Sequence, residues 1–162
     1  MSIEVNTKAP DFTLRTKTAD GLKDIKLSDN FGKKQTVLLF FPMAFTGVCT
    51  KELCTATEDY QDYANLDATV YGISHDSPFA QDAWSKASKM SITLLSDMDS
   101  KVIDAYGVQA ADKFGFPGIA MRSVFVINKD GVVTYKWVGN ELSDFPDFNA
   151  VKEVLKKSAS KS

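Results

Sequence analysis

The stretch Thr36-Val-Leu-Leu-Phe-Phe41-Pro42-Met-Ala-Phe45-Thr46-Gly47-Val-Cys49-Thr-Lys-Glu52-Leu-Cys54 decides the fold. It opens on a continuous apolar run, the pattern of a strand buried on both faces. Pro42 stops that run, since proline offers no N–H to a sheet ladder. A short loop follows, and a helix begins near Gly47. Cys49 then lies in the first helical turn, just past the carboxyl end of a central strand. In open α/β sheets that edge is where ligands bind.

Working outward, Thr69–Ser74 is a second buried strand and Ser91–Ser96 a weaker third. Ser123–Asn128 and Val132–Val138 flank Lys129-Asp130-Gly131, and an Asp-Gly turn between β-rich runs signals a hairpin. A second hairpin is expected around Ala19-Asp20-Gly21, with Phe12–Leu14 and Lys23–Leu27 as its arms. Helices are expected over Gly47–Leu66, Pro78–Met90, Ser100–Tyr106 and Asp147–Lys157. Ser77-Pro78 supplies a cap and then a proline at the first helical position. The order is hairpin, β-α-β-α-β-α, hairpin, helix. Such alternation implies a three-layer α/β sandwich with a mixed central sheet, thioredoxin-like in topology.

Composition narrows the function classes. The chain has 162 residues, a formal charge of −2, one histidine and two cysteines. That length suits one domain, residues 1–162. The near-neutral charge leaves no footprint for nucleic acid or an anionic membrane. Two cysteines cannot make a four-Cys zinc or iron–sulfur site, and a single His75 excludes a His-rich metal site, so neither metal nor cofactor is expected. Residues 1–10 show no basic stretch followed by an apolar one, and the apolar run Val37–Phe45 is far too short to span a bilayer. The expected location is therefore a reducing cytoplasm, where two nearby cysteines are more often reactive than structural.

A helix N-terminus offers unpaired N–H groups and the positive end of a dipole, and both favour a thiolate. Cys49 thus reads as a nucleophile, against the plainer reading of a small buried hydrophobe. Cys54 follows five residues later. On an intact helix the two Cα atoms stand about 8–9 Å apart with side chains about 140° apart. A disulfide needs them within about 7 Å, so a Cys49–Cys54 bond requires the helix to open. By spacing alone Cys54 is equally well a core residue. Of only two arginines, Arg15 reads as surface. Arg122, directly before a strong strand, either reaches the Cys49 helix or is an exposed strand-end residue.

Pro42-Met-Ala-Phe-Thr46-Gly-Val-Cys49 resembles the active-site pattern Pro-x-x-x-Thr/Ser-x-x-Cys of the peroxiredoxins at every defined position. Arg122, ahead of the apolar strand and the Lys-Asp-Gly turn, looks like that family's distant catalytic arginine. Gly72-Ile-Ser-His-Asp-Ser-Pro78 and Trp84 add local echoes, and the similarity runs from about Ala9 to Val138. The resemblance implies a thioredoxin-like fold with an N-terminal β-hairpin extension and the reduction of hydrogen peroxide and organic hydroperoxides. It makes Cys49 the peroxidatic cysteine, with Thr46 and Arg122 binding the peroxide and Pro42 walling the pocket. Glu52 is then an orienting residue for Arg122, against the plainer reading of a surface carboxylate. Cys-x₄-Cys looks like the bacterioferritin-comigratory (PrxQ) group, in which the second cysteine resolves the sulfenic acid. Gly118-Ile-Ala-Met-Arg122-Ser-Val-Phe-Val and Phe45-Thr-Gly-Val look more like the AhpE group, whose members can lack that cysteine. No cysteine follows Cys54 in this sequence, so no late resolving cysteine from a partner subunit is expected. The implied reductant is thioredoxin or glutaredoxin, and the implied assembly a homodimer to which Phe45 and Phe79 contribute.

Other classes compete. A dithiol reductase wants Cys-x-x-Cys, and a cysteine hydrolase needs a base for which His75 is the sole histidine. A peroxide-sensing or holdase-type interaction protein would use the same cysteine as a switch, reacting once where an enzyme turns over.

Overall fold

The computed structural model describes residues 2–110, 115–141 and 143–160, with Ser160 described by its backbone alone. Seven strands form one sheet: β1 (Thr13–Thr18), β2 (Gly21–Lys26), β3 (Gln35–Phe40), β4 (Ala68–Ser74), β5 (Thr93–Ser96), β6 (Ser123–Ile127) and β7 (Val133–Val138). Their order across the sheet is β2-β1-β5-β4-β3-β6-β7. The three middle strands β3, β4 and β5 run parallel, and antiparallel pairs flank them. This is the mixed sheet that the alternating pattern predicts, and both expected hairpins form.

β3 is buried at all six positions. Its side chains alternate between two cores, as the two-residue period of a strand requires. Leu38 and Phe40 join Tyr106, Ile103 and Phe125 on one face. Val37 and Leu39, with Phe41 beyond the strand end, join Leu53, Trp84, Val151 and Leu155 on the other. The second face is covered by helices α1 (Gly47–Glu58), α2 (Tyr60–Asn65), α3 (Pro78–Ala87) and α5 (Phe148–Ser160). The first face is covered by the short α4 (Lys101–Ala105), a 3-10 turn at Leu27–Asn30 and the N-terminal segment. α1 comes close to the sheet at Gly72: a Cβ there would stand 3.0 Å from Leu53 and 2.7 Å from Leu94. Glycine at that point of β4 lets the Cys49-bearing helix settle onto the sheet.

Two helix boundaries differ from expectation. The single helix over Gly47–Leu66 is two, interrupted at Asp59. Aspartate is a weak helix former, and its carboxylate is held by Lys152 of α5 at 2.9 Å. The helix from Pro78 ends at Ala87 rather than Met90, because Lys89 takes a left-handed φ of 55° that turns the chain towards β5. Its start is as expected, with Ser77 Oγ accepting the Ala80 N–H at 3.1 Å and Pro78 in the first turn.

Candidate active site

Pro42 ends the buried run, and residues 42–46 turn the chain from the sheet into α1. Phe45 adopts a left-handed φ of 65°, a conformation a side chain pays for unless its surroundings hold it. Its ring projects into solvent, 62% exposed. Thr46 is the N-cap residue of α1 with extended backbone angles, and its hydroxyl donates to the Met43 carbonyl at 2.8 Å. With that proton committed, Oγ1 keeps its lone pairs as an acceptor.

Cys49 sits in the first turn of α1, 1% exposed, and packs in the core cluster that holds Phe41, Leu53 and Trp84. Glu52 lies three residues on, so it shares the Cys49 face of the helix. The plainer reading of Glu52 as a surface carboxylate does not hold: it is fully buried. The exposed reading of Arg122 fails likewise, for it is 2% exposed and places Nη1 3.6 Å from Glu52 Oε1. Arg122 stands two and four residues ahead of Val124 and Val126, which face the α1 side, and its carbonyl still accepts the Gly139 N–H across the sheet. Strand periodicity therefore aims the guanidinium beneath α1. Arg15, by contrast, is a surface residue beside Asp24.

Burial pushes the Glu52 carboxyl up to about 8, and the Arg122 charge pulls back against it only in part. Below about pH 4.5 the group is protonated in both folded and unfolded chains. Between about pH 4.5 and 8 the fold keeps a proton that the unfolded chain releases, so stability falls as pH rises. Above about pH 8 the full penalty is present. Glu52→Gln removes this titration. Urea unfolding of reduced protein should show wild type losing up to a few kcal/mol relative to the variant between about pH 5 and 9. Parallel profiles would contradict the assignment.

Cys54 is half-buried on the same helix, with Sγ 3.7 Å from the Ser88 carbonyl at the end of α3. Both cysteines carry free thiols, and α1 is unbroken between them. The intact helix keeps them apart, as its geometry demands. α1 is further fastened by a bond from Trp84 Nε1 to Thr50 Oγ1 at 3.0 Å. His75 is engaged elsewhere, with Nδ1 3.1 Å from Ser100 Oγ. Among the described residues no group of three or more metal-ligating side chains gathers, and no helix is long and apolar enough to cross a membrane.

Sequence reasoning missed three residues around this site. Asp76 Oδ2 accepts the Ala44 N–H at 2.8 Å, and Ser74 and Gln81 stand behind it. The available signal was the polar run Ser74-His-Asp76-Ser-Pro78 directly after a buried strand, at the same sheet edge as Cys49.

The model of the AhpC/TSA family matches residues 5–136. A putative peroxiredoxin bcp from Coxiella burnetii is 39% identical over 140 residues, covering 85% of this chain and 89% of that protein. A chloroplastic 2-cysteine peroxiredoxin from Chattonella marina var. antiqua is 33% identical over 147 residues, 86% of this chain and 73% of that protein. Against three further chloroplastic relatives the chain spans 52% to 66% of their length. The reduced 2-Cys peroxiredoxin of Plasmodium vivax superposes with a TM-score of 0.84 at 25% identity, over 94% of this chain and 80% of that one. With the Cys49 loop, the buried Arg122–Glu52 pair and the thioredoxin-like sheet in place, these matches establish that the chain belongs to the AhpC/TSA family and is a peroxiredoxin, a thiol-dependent peroxidase.

Proposed function

We propose that Cys49 is the peroxidatic cysteine, that Thr46, Arg122 and Pro42 form its peroxide pocket, and that Cys54 resolves the oxidised sulfur within the same chain. The observation that carries this reading is Cys49 in the first turn of α1 with the buried Arg122 charge on its helix face. The Cys49 thiolate attacks one peroxide oxygen. The O–O bond breaks, sulfur is oxidised to the sulfenic acid, and the departing oxygen takes a proton to leave as water or alcohol. Helix N–H groups and the guanidinium stabilise the charge that spreads along the O–O bond. Thr46, whose own proton is spent on Met43, accepts the peroxide O–H. A protonated Glu52 holds Arg122 in place without cancelling its charge. Pro42, buried behind the loop, limits water around the sulfur.

Resolution follows opening of α1. Freed from the helix, the Cys54 thiolate attacks the sulfenic sulfur, the S–O bond breaks, the departing hydroxide takes up the proton the thiol gave up and leaves as water, and a Cys49–Cys54 disulfide forms. An external dithiol of the thioredoxin or glutaredoxin type returns two electrons. We place this cycle in one domain, residues 1–162, acting in the cytoplasm on hydrogen peroxide and organic hydroperoxides. We propose a homodimer joined near the site, where Phe45 and Phe79 are 62% and 59% exposed. Steady peroxide consumption driven by thioredoxin, thioredoxin reductase and NADPH tests the enzymatic reading. A single stoichiometric reaction that then stops would favour a peroxide sensor or holdase instead.

A further inference from the structure

The loop that carries Thr46 and leads to Cys49 is tied to the sheet by a polar chain, buried at its inner end and half-buried at Asp76. The Leu95 carbonyl accepts from Gln81 Nε2 at 2.8 Å. The other proton of Nε2 goes to Ser74 Oγ at 2.9 Å. Ser74 Oγ donates to Asp76 Oδ2 at 2.7 Å, and the same oxygen accepts the Ala44 N–H at 2.8 Å. Chemistry fixes every direction: a carbonyl only accepts, so the Gln81 nitrogen must face Leu95, and both amide protons are then spent. Ser74 must therefore pass its own proton on to Asp76. Ser74 and Gln81 are buried, at 0% and 1% exposed, and Ser96 Oγ fixes the Asp76 backbone through its carbonyl at 2.7 Å. The chain thus joins α3, the ends of β4 and β5, and the loop.

Its end point is chosen tellingly. Ala44 precedes Phe45, the residue in the left-handed conformation, and Phe45 precedes the N-cap Thr46. The Ala44 anchor lies where it offsets the cost of that conformation, so the loop stays in the form that starts α1 at Gly47. We propose that Asp76 is a positioning residue for the peroxidatic loop: through the Ala44 N–H it holds Thr46 and the first turn of α1 in the reactive arrangement and opposes their opening. The proposal rests on Cys49 being the peroxidatic cysteine.

Two consequences separate this role from a merely structural one. Asp76→Ala should lower the rate of Cys49 oxidation by hydrogen peroxide about tenfold while the protein stays folded. It should also lower the fraction of Cys49 driven to sulfinic acid at a fixed excess of peroxide, because α1 opens sooner and Cys54 reaches the sulfenic acid first. Asp76→Asn keeps an acceptor oxygen at the same place and should restore most of the rate. Oxidation of Asp76→Ala at the wild-type rate would overturn the proposal, as would an Asn variant as slow as the Ala one. Should Asp76→Ala fail to fold, amide exchange of Ala44 in the reduced wild-type protein decides: slow exchange that speeds up on oxidation supports the anchor, and exchange at peptide rates in the reduced state refutes it. Cys49→Ser runs alongside. If it still consumes peroxide, the peroxidatic assignment has failed rather than the role of Asp76.

Discussion

Cys49→Ser should abolish peroxide consumption, with turnover at least about a thousandfold below wild type while the fold is retained. Serine fits the space but puts a hydroxyl into the apolar cluster around Phe41, Leu53 and Trp84, so stability should fall by about 1–3 kcal/mol while the protein still folds. Its oxygen is a far weaker nucleophile than a thiolate and forms no sulfenic acid, so neither the first step nor the second can occur. Removing a nucleophile from a positioned catalytic group commonly costs a factor of this size or more. Peroxide consumption by the purified variant, supplied with an excess of dithiol, checks this. Activity within tenfold of wild type would move the chemistry away from Cys49.

Replacing Arg122 should produce the second largest effect, and on two quantities that can be separated. Arg122→Met leaves Glu52 fully buried beside no cation. Breaking one side of a buried ion pair commonly costs about 3–5 kcal/mol. The raised carboxyl pKa softens that cost, since Glu52 can remain protonated. Activity should fall by about 10²–10³, the usual cost of losing a donor aimed at developing charge. The double variant Arg122→Met, Glu52→Gln should regain much of the stability, because no buried carboxyl remains to be paired. It should regain none of the activity. Urea unfolding and peroxide kinetics on the same preparations distinguish the two roles, and recovery of activity in the double variant would reduce Arg122 to a structural residue.

Most of the fold was legible because the signals were local. β3 announces itself by six buried positions in a row, and the Asp-Gly turn at Asp130-Gly131 fixes the β6–β7 hairpin. The interruption at Asp59 was not legible, since its partner Lys152 lies some ninety residues away in sequence and only the packing of α5 brings the two together. The site shows the same division. Pro42, Thr46 and Cys49 share one loop and one helix turn, so their proximity follows from sequence spacing. Arg122 could be aimed only by strand periodicity. The burial of Glu52 required knowing which face of α1 meets the sheet. Asp76 lies in a polar run after β4 but had no assignable partner, because what it holds is a backbone N–H, which any non-proline residue at position 44 would supply.

Under the proposed resolution by Cys54, chemistry is coupled to helix opening. α1 is continuous from Gly47 to Glu58, and both thiols lie on it. Every catalytic cycle through a Cys49–Cys54 bond would therefore break helical hydrogen bonds of α1. Opening one or two turns of a helix is a low-energy event beside global unfolding. A slow opening would expose the sulfenic acid to a second peroxide and to sulfinic oxidation.

Reduced native protein receives one equivalent of hydrogen peroxide, free thiols are then alkylated, and the intact mass is read. The expected product is a chain lighter by two hydrogens with neither Cys49 nor Cys54 alkylated. A single added oxygen with Cys54 still alkylated would remove Cys54 from the mechanism, and full recovery of both thiols with the peroxide unconsumed would contradict the peroxidatic role of Cys49 itself.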